Sequence, residues 1–237
     1  MTDLIEKSGQ NLEAVKKYYN TEREYGNSQA SIYKIWETGG AFQDSITPST
    51  FTPEYRSHIV LKILSLSEPG DKILSLGCGN GFVEADIVKN QRRVHAIDFN
   101  AEAVELTLAK GVSAEVGDFF KLEHADIEDV KIIYADGLVG HLFSNEEKLL
   151  PFIEKLKSLD LNPETLVILS NDSPMDPDKR FMPHARVEGF WFLSKHYLLE
   201  QLVESGFKPV ESYYFPYIRP VSGLRNRTMC IVKHRPW

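Results

Sequence analysis

The sequence predicts an α/β fold: a doubly wound, mostly parallel seven-stranded sheet with one antiparallel edge strand, preceded by an N-terminal helical lid. Three observations carry that prediction. Short apolar runs at 72–76, 92–97, 112–116, 130–135 and 165–170 alternate with helical patterns near 80–90, 100–110, 145–159 and 194–205, as in parallel sheets with helical crossovers. The last two strand candidates, 208–215 and 227–233, have only a loop between them, which suits an antiparallel edge. The first run ends in glycines at alternate positions, Gly77, Gly79 and Gly81, just before a helix with Phe82, Val83, Ile87 and Val88 on one face. Such a loop brings backbone N–H groups of a helix N-terminus close to a ligand.

At 237 residues, 42% hydrophobic and 26% charged, the chain has room for one α/β domain with an extension. A net charge of −7 argues against a general nucleic-acid partner, which needs a basic stripe. No apolar run approaches the ~18 residues of a membrane span, and the first six residues lack the basic and apolar parts of a signal peptide. The expectation is a cytoplasmic protein, monomer or homodimer, without membrane or nucleic-acid partners. The two cysteines, Cys78 in the glycine loop and Cys230 in a late apolar run, form neither a metal pair nor a disulfide framework, so no metal site is expected.

Residues 1–50 stand apart as a helical lid or cap, and 51–237 form the sheet domain with an insert at 171–193. In the lid, Leu12, Val15, Tyr18 and Tyr19 recur at helical spacing. After a polar break at 26–28 the pattern resumes with Ile32, Tyr33, Ile35 and Trp36. Thr52 reads as the N-cap of the next helix with Pro53 in its first turn. Asn100 and Ser194 read as caps, Gly206 as a stop, and Ser144 with Glu147 as a capping box. Pro151 either kinks its helix or starts a second piece.

Asp98 ends the second strand 21 positions after Gly77, near the ~20 at which an acidic residue grips ribose hydroxyls. With its GxGxG spacing, this pairing of glycine loop and acid-ended strand resembles the class I S-adenosylmethionine-dependent methyltransferases. The segment 114–120 is similar to the one whose Asp and neighbour hold adenine, and 132–143 to the strand and loop lining the methyl-transfer site. The resemblance covers 53–235 in layout and the first half of that in motif. It implies S-adenosyl-L-methionine as cofactor, held by Ser75, Gly77, Cys78, Gly79, Gly81, Asp98, Phe99, Asp118 and Phe119, with Tyr25 from the lid. Ser75 is a departure, because the family often has Asp or Glu there to meet the methionine ammonium. Water or backbone carbonyls are the expected substitutes.

The loop after the fourth strand supplies a carboxylate, Asp136, and an imidazole, His141, the candidate catalytic residues. Imidazole titrates near neutrality and suits a general base. A loop of about 20 residues after the fifth strand is too long for a connection alone and marks a binding segment. His184, Arg186 and Trp191 from it, Tyr33 and Trp36 from the lid and Tyr214 near the end are candidate substrate contacts. The implied activity is methyl transfer to a nitrogen or oxygen of a small molecule, with a slight lean to nitrogen. The alternatives are a non-catalytic cofactor-binding scaffold and, on the same kind of fold, a nicotinamide-dependent oxidoreductase, which predicts a GxGxxG loop and a separate substrate domain.

Overall fold

Ser170, Asn171 and Asp172, at the end of the fifth strand of the sheet, are all buried, and they show where this structure concentrates its polar groups. The computed structural model describes residues 12–234. Residues 1–11 and 235–237 lie outside the described residues, and with them the start of the lid and the segment read for a targeting signal; so do the side chains of Leu12 and Glu13.

The lid begins with α1 (Leu12–Asn20), β1 (Arg23–Tyr25), β2 (Ser28–Ala30) and α2 (Ile32–Glu37). The polar break is thus a β-hairpin, turned by Gly26 at φ 62°. Ser31 caps α2 by accepting from Lys34 N–H. Next come α3 (Pro48–Phe51) and α4 (Pro53–Ser65). Pro53 opens α4 as expected, but the Thr52 side chain makes no capping bond. The alternating unit then runs β3 (Lys72–Leu76), α5 (Phe82–Lys89), β4 (Arg93–Asp98), α6 (Ala101–Leu108), β5 (Ser113–Val116), β6 (Val130–Asp136), α7 (Leu138–His141), α8 (Leu150–Ser158) and β7 (Leu166–Asp172). The chain closes with β8 (Phe181–Pro183), β9 (Trp191–Leu193), α9 (Lys195–Glu204), β10 (Lys208–Arg219) and β11 (Gly223–Lys233).

The seven-stranded sheet has the order β10-β11-β7-β6-β3-β4-β5. Strands β3 to β7 pair in parallel, while β11 runs antiparallel to both β7 and β10 and forms the expected antiparallel hairpin at that edge. Strand order reverses beside β3, between β4 on one side and β6 on the other, and the crevice at the strands' carboxyl ends opens there. Alternate residues of β3 go to opposite faces: Ile73 packs with Tyr55, Ile59 and Ile63 of α4, whereas Leu74 and Leu76 join Phe152 and Leu156 of α8 and Leu198 and Leu202 of α9.

Other expectations change as well. Residues 144–148 form a turn closed by a Ser144–Lys148 bridge, so Ser144 accepts from Glu147 N–H at 2.9 Å within that turn, without capping a helix. The helix starts at Leu150, and Pro151 sits in its first turn, where no N–H is needed. The caps at Asn100 and Ser194 form as read, accepting from Glu102 and Tyr197 N–H. The insert is not all loop, since β8 and β9 pair as a short hairpin inside it. Among the described residues, no helix is long and apolar enough to cross a membrane.

Gly81 fixes how α5 leaves the glycine loop. Its φ is +70°, and a Cβ there would stand 2.5 Å from Thr107 Oγ1 of α6. Gly81→Ala should cost about 1–3 kcal/mol from positive φ and overpacking. Thermal melts check it, and Thr107→Ala in the same chain should recover only part of the loss, because the backbone strain remains.

Candidate active site

The loop between β3 and α5 carries three glycines in left-handed conformation, with φ of 70°, 54° and 70° at Gly77, Gly79 and Gly81. Nothing lies within 4 Å of where a Cβ on Gly79 would stand, so its backbone faces open space. Asp98, at the end of β4, accepts from Gly79 N–H at 3.0 Å and from Asn100 N–H at 2.9 Å. Burial pushes its carboxyl up to about 6, against the pull of those two N–H groups. The Cys78 thiol is buried 3.4 Å from Thr107 Oγ1, and burial pushes its pKa up, so it is no thiolate.

Two cavities meet at this loop and share Gly77, Asp98, Phe99 and Leu138 as a common wall. The outer one, about 540 Å³, runs past Gly117, Asp118 and Phe119. Asp118 caps a 3-10 turn through Phe120 N–H at 3.0 Å, and Phe119 is mostly buried against Phe120 and Phe152. The inner one, about 160 Å³, is lined by the lid, α7, the insert and the strand ends.

Aromatic side chains of the lid close the inner cavity. Tyr19 stacks on Tyr33 at 5.2 Å and meets Trp36 and Phe99 edge-on. Its hydroxyl is 2.8 Å from His141 Nε2. His141 is buried and its Nδ1 has no hydrogen-bond partner among the described residues; burial pushes the imidazole down to about 4, only partly opposed by the backbone of Gly189 close by. At neutral pH it is uncharged. The lid is tied to the domain by Asn100 Nδ2 donating to Asn20 Oδ1 at 2.6 Å and by Asn80 Nδ2 donating to the Tyr33 carbonyl and to Glu37.

The far wall is ionic. Arg227 of β11 pairs with Asp136 at the end of β6 and, at 3.0 Å, with Asp172 at the end of β7, while its Nε donates to Ser170 Oγ at 2.9 Å. Arg219 of β10 pairs with Asp172 at 2.5 Å and donates to the Asp44 carbonyl of the lid at 3.2 Å. Tyr217 adds a short hydrogen bond to Asp172. Burial works against the Asp172 charge, but Arg219 and Arg227 outweigh it and hold the carboxyl below its ordinary range. Tyr55 and Tyr134 donate to Asp136 at 3.2 and 3.3 Å, so that carboxylate is saturated with donors.

Of the residues singled out from sequence, Gly77, Cys78, Gly79, Asp98, Phe99, Asp136, His141, Tyr33, Trp36 and His184 line the inner cavity. His184 Nδ1 accepts from Arg186 and Val187 N–H, each at 3.0 Å, leaving Nε2 to carry the proton. Others stand elsewhere. Tyr25 is exposed in the lid hairpin, and Arg186 is exposed and donates to Gln43 at 3.0 Å, joining insert to lid. Trp191 packs on Phe143 and Phe181 under the insert, and the Tyr214 hydroxyl accepts from Lys195 N–H at 3.4 Å on the edge strand. Ser75 is buried behind the loop and donates to Glu84. Sequence reasoning did not single out Tyr19, Glu84, Asp172 and Arg227 for the site. Tyr19 had a signal, since it adjoins Tyr18 on the helical face of the lid.

This is the fold of the class I S-adenosylmethionine-dependent methyltransferases. The open backbone at Gly79 and the acid-ended β4 between two joined cavities fit that cofactor. The chain belongs to the family of the tabtoxin biosynthesis enzyme of Pseudomonas amygdali pv. tabaci, to which it is 59% identical over 222 residues, 94% of this chain and 88% of that one. No family model matches the chain. Among solved structures, a methyltransferase from Methanosarcina mazei aligns with TM-score 0.58 at 14% identity, over 73% of this chain and 96% of that one. The 1,6-didemethyltoxoflavin N1-methyltransferase of Burkholderia thailandensis, solved with its acceptor and S-adenosylhomocysteine, aligns with TM-score 0.57 at 22% identity, over 76% and 77%.

Arg227→Met should leave Asp136 and Asp172 buried without their shared cation. The expected loss is about 3–5 kcal/mol of unfolding free energy in a urea titration, typical of breaking a buried pair from one side.

Proposed function

We propose that this protein is a cytosolic enzyme that transfers a methyl group from S-adenosylmethionine to a nitrogen or oxygen of a small-molecule acceptor in natural-product metabolism. The observation that carries the reading is the junction of the two cavities: a cofactor-sized outer crevice meets, at the glycine loop, an inner chamber with aromatic and ionic walls. The cofactor, when bound, supplies an electrophilic methyl group on a sulfonium, taken by in-line displacement.

The chain's own residues bind, align and exclude water. Tyr19, Tyr33 and Trp36 form the apolar side of the chamber, and His184, Arg219 and Arg227 the polar side. His141 faces the acceptor as an uncharged imidazole held by Tyr19. A group with a pKa near 4 is a weak base toward a hydroxyl. That favours nitrogen acceptors whose lone pair is free at neutral pH, where no proton need leave before attack, and His141 then orients the acceptor more than it deprotonates it. The relative's part in tabtoxin biosynthesis and the small heterocycle held by the toxoflavin enzyme support a small acceptor.

Calorimetric titration with S-adenosylmethionine and, separately, NADH is the test. Micromolar binding of the first alone is expected, weakened by about 1.5–3 kcal/mol in Asp98→Ala through loss of charged hydrogen bonds. Absence of S-adenosylmethionine binding overturns the reading.

A further inference from the structure

Among the described residues, four carboxylates line the inner cavity: Glu84, Asp98, Asp136 and Asp172. Three are satisfied. Asp136 and Asp172 have arginine partners, and Asp98 has two backbone N–H groups on the wall shared with the outer cavity. Glu84 differs. It lies in the first turn of α5, only 3% exposed, accepts from Ser75 Oγ at 2.6 Å, and has no ion pair among the described residues. A buried carboxylate without a cation is costly, and burial pushes Glu84 up to about 7. The groups facing it add no positive charge: Cys78 in the loop, Asp98 on β4, and Tyr134 and Asp136 on β6, with Arg227 engaged beyond Asp136.

A chamber that keeps such a group at the methionine end of a cofactor cradle is short of one cation. We propose that Glu84, oriented by Ser75, is the counter-ion for the α-ammonium of the bound cofactor. This rests on the functional reading above. It also gives Ser75 a purpose: β3 carries no acid at that position, and its hydroxyl steadies a carboxylate delivered from α5 instead. Binding of the ammonium draws the proton from Glu84, so affinity for any ligand bearing that group is full above neutral pH. It falls as pH drops through about 7, where the free protein's Glu84 takes up a proton. Asp98 protonates lower, near 6, and affects ligands that carry only the ribose as well.

The experiment compares S-adenosylhomocysteine, which has the ammonium, with 5′-methylthioadenosine, which lacks the whole amino-acid end, by calorimetry on the wild type, Glu84→Gln and Ser75→Ala between pH 5.5 and 8.5. Glu84→Gln should weaken S-adenosylhomocysteine by about tenfold or more at pH 8, leave 5′-methylthioadenosine unchanged and remove the pH step near 7. Its melting temperature without ligand should hold or rise at pH 8, since a buried unpaired charge is gone. Ser75→Ala keeps the carboxylate but removes a hydrogen bond to its charged form, so the pH step should move upward; this second variant keeps the test open if Glu84→Gln does not fold. Equal affinity of wild type and Glu84→Gln for S-adenosylhomocysteine, or equal weakening of both ligands in a folded variant, overturns the assignment and leaves the methyltransferase reading standing. Failure of the wild type to bind either ligand overturns both.

Discussion

Everything at the carboxyl edge of the sheet depends on Arg227. Its guanidinium is buried and bonded to the ends of two parallel strands, through Asp136 and Ser170 to Asp172, while itself belonging to the antiparallel β11. Charge in so dry a place is tolerable only when every lone pair and N–H is matched, and here Tyr55, Tyr134, Tyr217 and Arg219 complete the set. A buried ion pair of this kind does not by itself make a protein more stable than an apolar core. It fixes geometry, since each group has one arrangement in which all partners are met. The loop after β6 therefore leaves a rigid end, and α7 presents His141 from a defined position.

Against that saturated wall, the cofactor side of the crevice is electrically incomplete. Asp98 and Glu84 are buried, raised in pKa and without arginine or lysine partners. On the proposed reading, the chain puts matched charge where an acceptor is oriented and unmatched negative charge where a positively charged cofactor binds. Folding without ligand bears the cost of burying those acids, and ligand binding relieves it.

Much of this was legible in order along the chain. The glycine loop, Asp98, Asn100, Ser194 and the strand alternation are local signals, each set by a few neighbouring residues, and they formed where expected. The pairing of Arg227 with Asp136 joins residues 91 apart, and Arg219 meets Asp172 across 47, separations at which one sequence gives no pairing signal. Glu84 carries no local signal, since acidic residues are common in the first turn of a helix. Only the register of Ser75 with α5 reveals that it points inward. Aromatic residues misled in the other direction: Trp191 and Tyr214 have the composition of a binding wall but serve the packing of the insert and the edge strand. The hairpin at 23–30 was hidden because its strands have three residues each, too few to show a period of two.

The two halves of the chamber come from different parts of the chain. On the proposed reading, the sheet and its first loops make the cofactor half, whereas the acceptor half is roofed by residues before Pro48 and by the insert after β7, which touch each other through Arg186 and Gln43. Selection can therefore rewrite the roof without disturbing the floor. Related enzymes that diverge to new metabolites should accumulate their differences in those two segments and remain nearly constant from β3 to α6, so that acceptor range evolves as an exchangeable module on a conserved engine.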